Sequence, residues 1–352
     1  MHGGPGPQGA LPHDFSTNAN AAGPGPEALA AVQAADATRY PDASYQVLRE
    51  ALAARHGVAP ARVLLAASAS EFIQRVTAVS ARLAPGPVAL PAQAYGDYAR
   101  AARAHGRGLL AADDPRATLR WRADPGSPLG QDDTPPLPRS AGDARVGATV
   151  LDAVYAPLRL SGVSPWDAAA RDRVFVLHSP NKALGLCGVR GAYAIAPAGA
   201  LGARWAQALQ AATPSWPLGA HAVALLQAWC QPATQAWLQA SLPTLRAWKQ
   251  AQTRALQAAG CELQPSHTPF FCLRPPRPWR PEIGARHGVQ LRDASSFGLP
   301  GWWRVNTLPP QSQARLLQAL ADHADVHVDA HADAQADDPM AGPAPPLTQD
   351  QP

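Results

Sequence analysis

Val174-Phe175-Val176-Leu177-His178-Ser179-Pro180-Asn181-Lys182-Ala183-Leu184-Gly185-Leu186-Cys187-Gly188-Val189-Arg190-Gly191 opens on an apolar run and continues into small residues. The run Val174–Leu177 reads as a buried strand, and the small residues after it read as the turn that holds Lys182 at the strand's end. A lysine there can lose its proton and attack a carbonyl carbon, which an arginine cannot do. Only Lys182 and Lys249 are lysines among 30 basic residues. Codon bias accounts for the arginines, so the scarcity only points. The strand-end position makes Lys182 the candidate, whereas Lys249 lies on a Gln/Arg/Trp-rich helix and reads as a solvated face. Ser179 and Arg190, three residues before Lys182 and eight after it, are placed to grip a phosphate.

The same alternation extends outward. Val63–Leu65, Val88–Leu90, Gly108–Ala111, Thr149–Leu151 and Tyr193–Ala196 read as further strands. Helical patterns fall between them, with Phe72, Ile73, Val76, Val79 and Leu83 recurring at helical spacing after the small residues Ala66–Ser70. A strand, a small-residue turn and a helix present free backbone N–H groups to a phosphate. Strands alternating with helices predict an α/β fold with a mainly parallel central sheet. Beyond about residue 200 the pattern turns helical and ends in the strand-like runs Phe270–Leu273 and Trp303–Val305, which predicts a smaller α+β domain. The division is an N-terminal arm over 1–40, a large domain over 41–230, a small domain over 231–322 and a disordered tail over 323–352.

Composition narrows the function. Hydrophobic residues make up 46% and charged residues 16% of 352, enough for a sizeable core and too apolar for a disordered chain. No run of about 18 apolar residues exists, so no transmembrane helix is expected. Met1–Pro5 has neither a basic nor an apolar leader region, which predicts no secretory signal. Cys187, Cys230, Cys261 and Cys272 form no CxxC, so a disulfide framework is not expected and a reducing cytoplasm is. The net charge of +4 is spread among interleaved carboxylates, without a basic block for nucleic acid. His323, His327 and His331 stand four residues apart among aspartates. They read as a solvated tail before a metal face, and no metal is expected.

Upstream of Lys182 lies Leu151-Asp152-Ala153-Val154-Tyr155, again at a strand end. Taken in order, these segments resemble the class I/II, fold-type I pyridoxal-phosphate enzymes, nearest the branch of histidinol-phosphate aminotransferases and threonine-phosphate decarboxylases. The likeness runs from about Asp14 to Ala321. It implies that Lys182 forms a Schiff base with pyridoxal 5′-phosphate, that Asp152 holds the ring nitrogen's proton and that Tyr155 bonds the ring hydroxyl. Ala69 and Ser70, in Ala67-Ser68-Ala69-Ser70-Glu71, match the phosphate turn, joined by Ser179 and Arg190. Tyr95 matches the aromatic that stacks on the ring. Tyr40, in Arg39-Tyr40-Pro41, matches a tyrosine that reaches the partner subunit's cofactor, which implies a homodimer. Arg304 matches the clamp on an amino-acid carboxylate, with Arg292 near a distal substrate phosphate and Asn18 beside the substrate.

One departure stands out. Ser127, in Asp124-Pro125-Gly126-Ser127-Pro128, takes the place of the family's ring-hydroxyl asparagine and can donate only one hydrogen bond. The resemblance implies an aminotransferase acting on an amino-acid-like substrate. A threonine-phosphate decarboxylase of cobalamin biosynthesis stays open on the Gly/Pro-rich arm, the opening His2-Gly3-Gly4 and the segment Ser295–Pro300. A catalytically silent cofactor-binding homologue stays open on Ser127.

Overall fold

Short apolar runs become the strands of one seven-stranded sheet. The computed structural model describes residues 3–4, 9–133 and 147–333. The strands are β1 (Val63–Ala66), β2 (Val88–Leu90), β3 (Leu109–Ala111), β4 (Leu119–Ala123), β5 (Ala148–Asp152), β6 (Phe175–His178) and β7 (Ala192–Ile195). Their order across the sheet is β1-β7-β6-β5-β4-β2-β3. β7 runs antiparallel to both its neighbours, and the remaining pairs are parallel. The mainly parallel α/β sheet is therefore as expected.

Both faces of the sheet are covered. Leu64, Leu119, Trp121, Phe175 and Leu177 meet the helices Ala69–Leu83, Gly96–Ala104 and Gly199–Ala211 on one face. Val63, Leu65, Tyr193 and Ile195 meet Gln46–His56, Ala220–Trp229 and part of Pro232–Ala258 on the other. Alternate residues of β1 thus enter opposite cores, as the two-residue strand period requires. Each fully buried leucine or phenylalanine there contributes about 1.5–3 kcal/mol.

A second, antiparallel sheet is built from β8 (Glu262–Leu263), β9 (Phe271–Arg274), β10 (Arg292–Asp293) and β11 (Trp303–Val305), in the order β10-β11-β9-β8. Phe15 of the N-terminal arm, Leu256 and Leu316 pack against it. The helix Pro232–Ala258 gives Leu238, Leu242 and Leu245 to the large core and Leu256 to the small one. It ties the two cores together across the expected boundary at 230/231.

Two expectations are corrected. The last helix runs Pro310–Asp333, past the point where the composition predicts a disordered tail. His323 is buried there: its Nε2 accepts the Arg280 N–H at 2.8 Å and its ring stacks on Trp279. The side chains of His327 and His331 lie outside the described residues, as does 334–352. Lys249 does not sit on a solvated face. Its amine donates to Ser266 O and Thr268 O, both at 2.6 Å, and burial lowers its pKa to about 8. No helix among the described residues is long and apolar enough to cross a membrane.

Candidate active site

In an open parallel sheet the strands' C-terminal ends line a crevice, because the helices leave them there before turning back. Here β1 leads to Ser68–Ser70, β2 to Tyr95, β4 to Ser127, β5 into Asp152 and Tyr155, and β6 to Ser179 and Lys182. The chain order of the site is thus set by the order of the strands.

Ser68 caps the helix Ala69–Leu83 by accepting the Glu71 N–H at 3.0 Å, an interaction that contributes about 1 kcal/mol. The N–H groups of Ala69 and Ser70 have no acceptor within the helix, by its geometry. The Ser70 hydroxyl lies 3.3 Å from that of Tyr95. Burial raises the Tyr95 pKa to about 12, so the phenol is neutral.

Asp152 ends β5 half-buried. Its Oδ2 accepts the Tyr98 hydroxyl at 2.6 Å and its Oδ1 accepts the Val154 N–H at 3.0 Å. Removal from water raises its pKa, opposed by these two donors and by the charge of Lys182. Tyr98 is wholly buried and stacks flat on Trp121 at 4.2 Å.

Lys182 Nζ stands over the Tyr155 ring, 5.5 Å from its centroid. The N-terminal arm runs along the lysine turn: Asn20 N–H donates to Lys182 O and Gly25 N–H to Leu184 O. This places Asn18, whose Nδ2 donates to the Tyr155 hydroxyl at 3.3 Å. The Asn18 Oδ1 is buried with no partner among the described residues. Phe270 meets the Tyr155 ring edge-on at 4.6 Å.

Arg304 lies on β11, buried. Its Nη1 donates to Ser127 Oγ at 3.2 Å and its Nη2 to Ser16 O at 2.7 Å, while its Nε has no partner among the described residues. Burial lowers its pKa, opposed by Tyr155, Cys272, Asp14 and Tyr95. Arg292 of β10 is its register partner. Its Nη2 donates to Ser296 Oγ at 2.9 Å, and burial and then Arg304 lower its pKa. Gly130 closes the Ser127 turn at φ +69°, and a Cβ there would overlap the Ser266 and Thr268 hydroxyls.

Lys182, Asp152, Tyr155, Tyr95, Ser70, Asn18, Ser127 and Arg304 therefore surround one crevice. Ser179 turns its hydroxyl toward Asn181 Oδ1 (2.9 Å) and Gly191 O (3.3 Å), so here it braces the turn. Arg190 is exposed. Tyr40 is 80% exposed, with its ring beside that of Trp216, away from this crevice. Sequence reasoning missed Tyr98. Its signal is its place three residues after Tyr95, in the first turn of the helix Gly96–Ala104 that Tyr95 precedes. Gly3, of the opening His2-Gly3-Gly4, packs on Ser16 and Arg304.

Comparison with known proteins bears on the family and the fold. Residues 127–320 match the family model described as aminotransferase class I and II. A histidinol-phosphate aminotransferase of Thiobacillus denitrificans is 30% identical over 341 residues, covering 88% of this chain and 84% of that one. Among solved structures, histidinol-phosphate aminotransferase from Sinorhizobium meliloti, in complex with pyridoxal-5′-phosphate, superimposes with a TM-score of 0.70 at 21% identity, over 88% of this chain and 90% of the other. L-threonine-O-3-phosphate decarboxylase from Porphyromonas gingivalis gives a TM-score of 0.71 at 21% identity, over 88% and 99%. These two share the fold. With its family model and its curated relative in agreement, the chain belongs to the class I and II aminotransferases.

Proposed function

We propose that the chain is a pyridoxal-phosphate-dependent aminotransferase, with Lys182 as the cofactor-bearing lysine and a substrate that is an amino acid carrying a second, distal anion. The convergence of Lys182, Tyr155 and Asp152 on the crevice that Arg304 closes carries this reading.

The residues present fit the cofactor. A lysine amine suits an aldehyde, a carboxylate suits a ring nitrogen, a phenol suits a ring hydroxyl, and the start of the helix Ala69–Leu83 suits a phosphate. Two buried polar atoms beside this crevice, Asn18 Oδ1 and Arg304 Nε, have no hydrogen-bond partner among the described residues. The chemistry pyridoxal phosphate supplies when bound is an electron sink beside the substrate's α-carbon.

The chain's own residues do the rest. Asp152, held by Tyr98 and Val154, carries the negative charge that keeps a ring nitrogen protonated. The Lys182 amine would accept the substrate's α-proton. Tyr155 and Asn18 would meet the ring hydroxyl, and Ser127, beside Arg304, would take the place of the asparagine there. Arg304 holds the α-carboxylate, ideally by two parallel hydrogen bonds. Arg292, beyond it, faces the distal anion. Ala69 and Ser70 hold the cofactor phosphate, with Ser179 bracing the turn and Arg190 adding charge at its far end. Tyr40 serves the partner protomer, so the working form is a homodimer, and it works in the cytoplasm.

Decarboxylation is the second reading. Gly3 and Gly4 rest on Ser16, and Gly3 also on Arg304 itself, so the arm borders the carboxylate that such an enzyme would lose. One assay separates these readings: histidinol phosphate, threonine phosphate, aspartate and aromatic amino acids, each scored for keto product and for CO₂. Keto product from a phosphorylated amine supports the proposal. CO₂ from threonine phosphate overturns it for the second reading. No product from any substrate, with cofactor bound, leaves the silent homologue.

A further inference from the structure

Tyr98 is a wholly buried side chain that touches two parts of the crevice at once. Its hydroxyl donates to Asp152 Oδ2 at 2.6 Å. One face of its ring lies on Trp121, 4.2 Å between centroids and 8° from parallel. The Tyr95 ring meets it edge-on at 5.8 Å and 86°. Trp121 sits in β4 and Asp152 at the end of β5, neighbouring parallel strands, so the phenol spans from one strand to the next.

This geometry leaves Tyr98 little freedom. A ring stacked on a buried indole cannot swing, and its hydroxyl has one close carboxylate to meet. The hydroxyl therefore fixes the carboxylate's plane and occupies one of its oxygens. The Val154 N–H occupies the other from within the turn. Each carboxylate oxygen can still accept another hydrogen bond, so the group is aimed without being saturated. The charged and titratable groups acting on Asp152 are Tyr98 from its helix and Lys182 from the following turn, while Tyr95 and Tyr155 act on the Tyr98 phenol.

We propose that Tyr98 is the positioning residue of the site, aiming Asp152 at a ring nitrogen while its ring braces Tyr95. The inference rests on the cofactor reading above and adds to it a residue that would not touch cofactor or substrate. A phenol that donates to a carboxylate stabilises the ionised form. Without it, Asp152 holds its own proton more readily and turns more freely, and both changes weaken its grip on a protonated ring nitrogen.

The test compares the natural protein with Tyr98→Phe, which keeps both ring contacts. Binding is measured by fluorescence titration with pyridoxal phosphate and with the analogue whose ring nitrogen is replaced by carbon. Tyr98→Phe is expected to bind pyridoxal phosphate roughly tenfold more weakly, the loss of one charge-assisted hydrogen bond. Its affinity for the carbon analogue is expected to stay within about twofold, because Asp152 has no nitrogen to meet there. In an Asp152→Asn background the effect of Tyr98→Phe should largely vanish. Equal losses for both ligands, or an undiminished loss in the Asp152→Asn background, would overturn the proposal in favour of simple packing. So would failure of Tyr98→Phe to fold, seen in its circular dichroism. If the natural protein binds neither ligand, the cofactor reading itself fails and this inference goes with it.

Discussion

Arg292 and Arg304 lie directly opposite each other in the antiparallel pair of β10 and β11, and both guanidiniums lie beside the Phe297 ring, at 5.1 and 5.9 Å. Like charges in register destabilise a strand pair. Both arginines are buried, which adds to the cost. A substrate anion bound beside them would offset it.

Arg292→Met is therefore expected to leave the thermal midpoint unchanged or raise it, while damaging recognition of the distal anion. KM for a phosphorylated amino substrate should rise roughly tenfold to a hundredfold, the loss of one or two charge-assisted hydrogen bonds. KM for an unphosphorylated amino acid should change far less. Steady-state kinetics on both substrates, beside a thermal melt, checks the pair of outcomes.

Tyr40 gives a prediction about assembly. It is 80% exposed, with its ring 4.7 Å from that of Trp216. Tyr40→Ala should change the stability of the fold by no more than about 0.5 kcal/mol. Cofactor affinity should nevertheless fall by roughly fivefold to tenfold, the worth of one hydrogen bond from the partner. Cofactor titration together with light scattering measures both. A monomer of full activity would contradict the role.

Acid stability depends on a buried ring pair. His56 and His178 stand 4.7 Å apart, His178 stacks on Tyr193, and His56 Nε2 lies 2.9 Å from the Tyr193 hydroxyl. Burial, and then the charges of Arg55 and Arg171, bring the His56 pKa down from 6.5 to about 4. Burial and then His56 hold His178 well below 6.5. Both rings are neutral in the folded protein, while the unfolded chain takes up their protons near 6.5. Stability should therefore fall as pH drops from 6.5 toward 4, by at most about 1.4 kcal/mol per pH unit for each ring. Urea unfolding across that range checks it, and His178→Phe, which keeps the stacking, should reduce the slope.

Particular residues show how far the sequence could be read. Asp152, Tyr155 and Lys182 were legible because each comes after an apolar strand run, and strand ends are where an α/β sheet gathers its polar groups. The strand Leu119–Ala123 was not legible, since Arg120 and Arg122 interrupt its apolar pattern. Their guanidiniums donate to Ala112 O and Asp114 O, and to Asp113 and Asp133, which no local pattern announces. Lys249 misled for a similar reason. Its neighbours are polar, yet its own amine meets two carbonyls from a distant loop. Tyr98 was hidden because a buried aromatic on a helix looks like ordinary core until its hydroxyl's partner is seen. The helix beyond Asp322 was hidden because burial of His323 depends on Trp279 and Arg280, more than forty residues away.

The central claim is that Lys182 bears the cofactor, and the presence of only two lysines makes it directly measurable. The protein is incubated with pyridoxal phosphate, reduced with borohydride, digested and sequenced by mass spectrometry. The label is expected on Lys182 alone, with the visible absorption band of the bound cofactor absent in Lys182→Ala. A label on Lys249, or a band that survives in Lys182→Ala, would contradict the account.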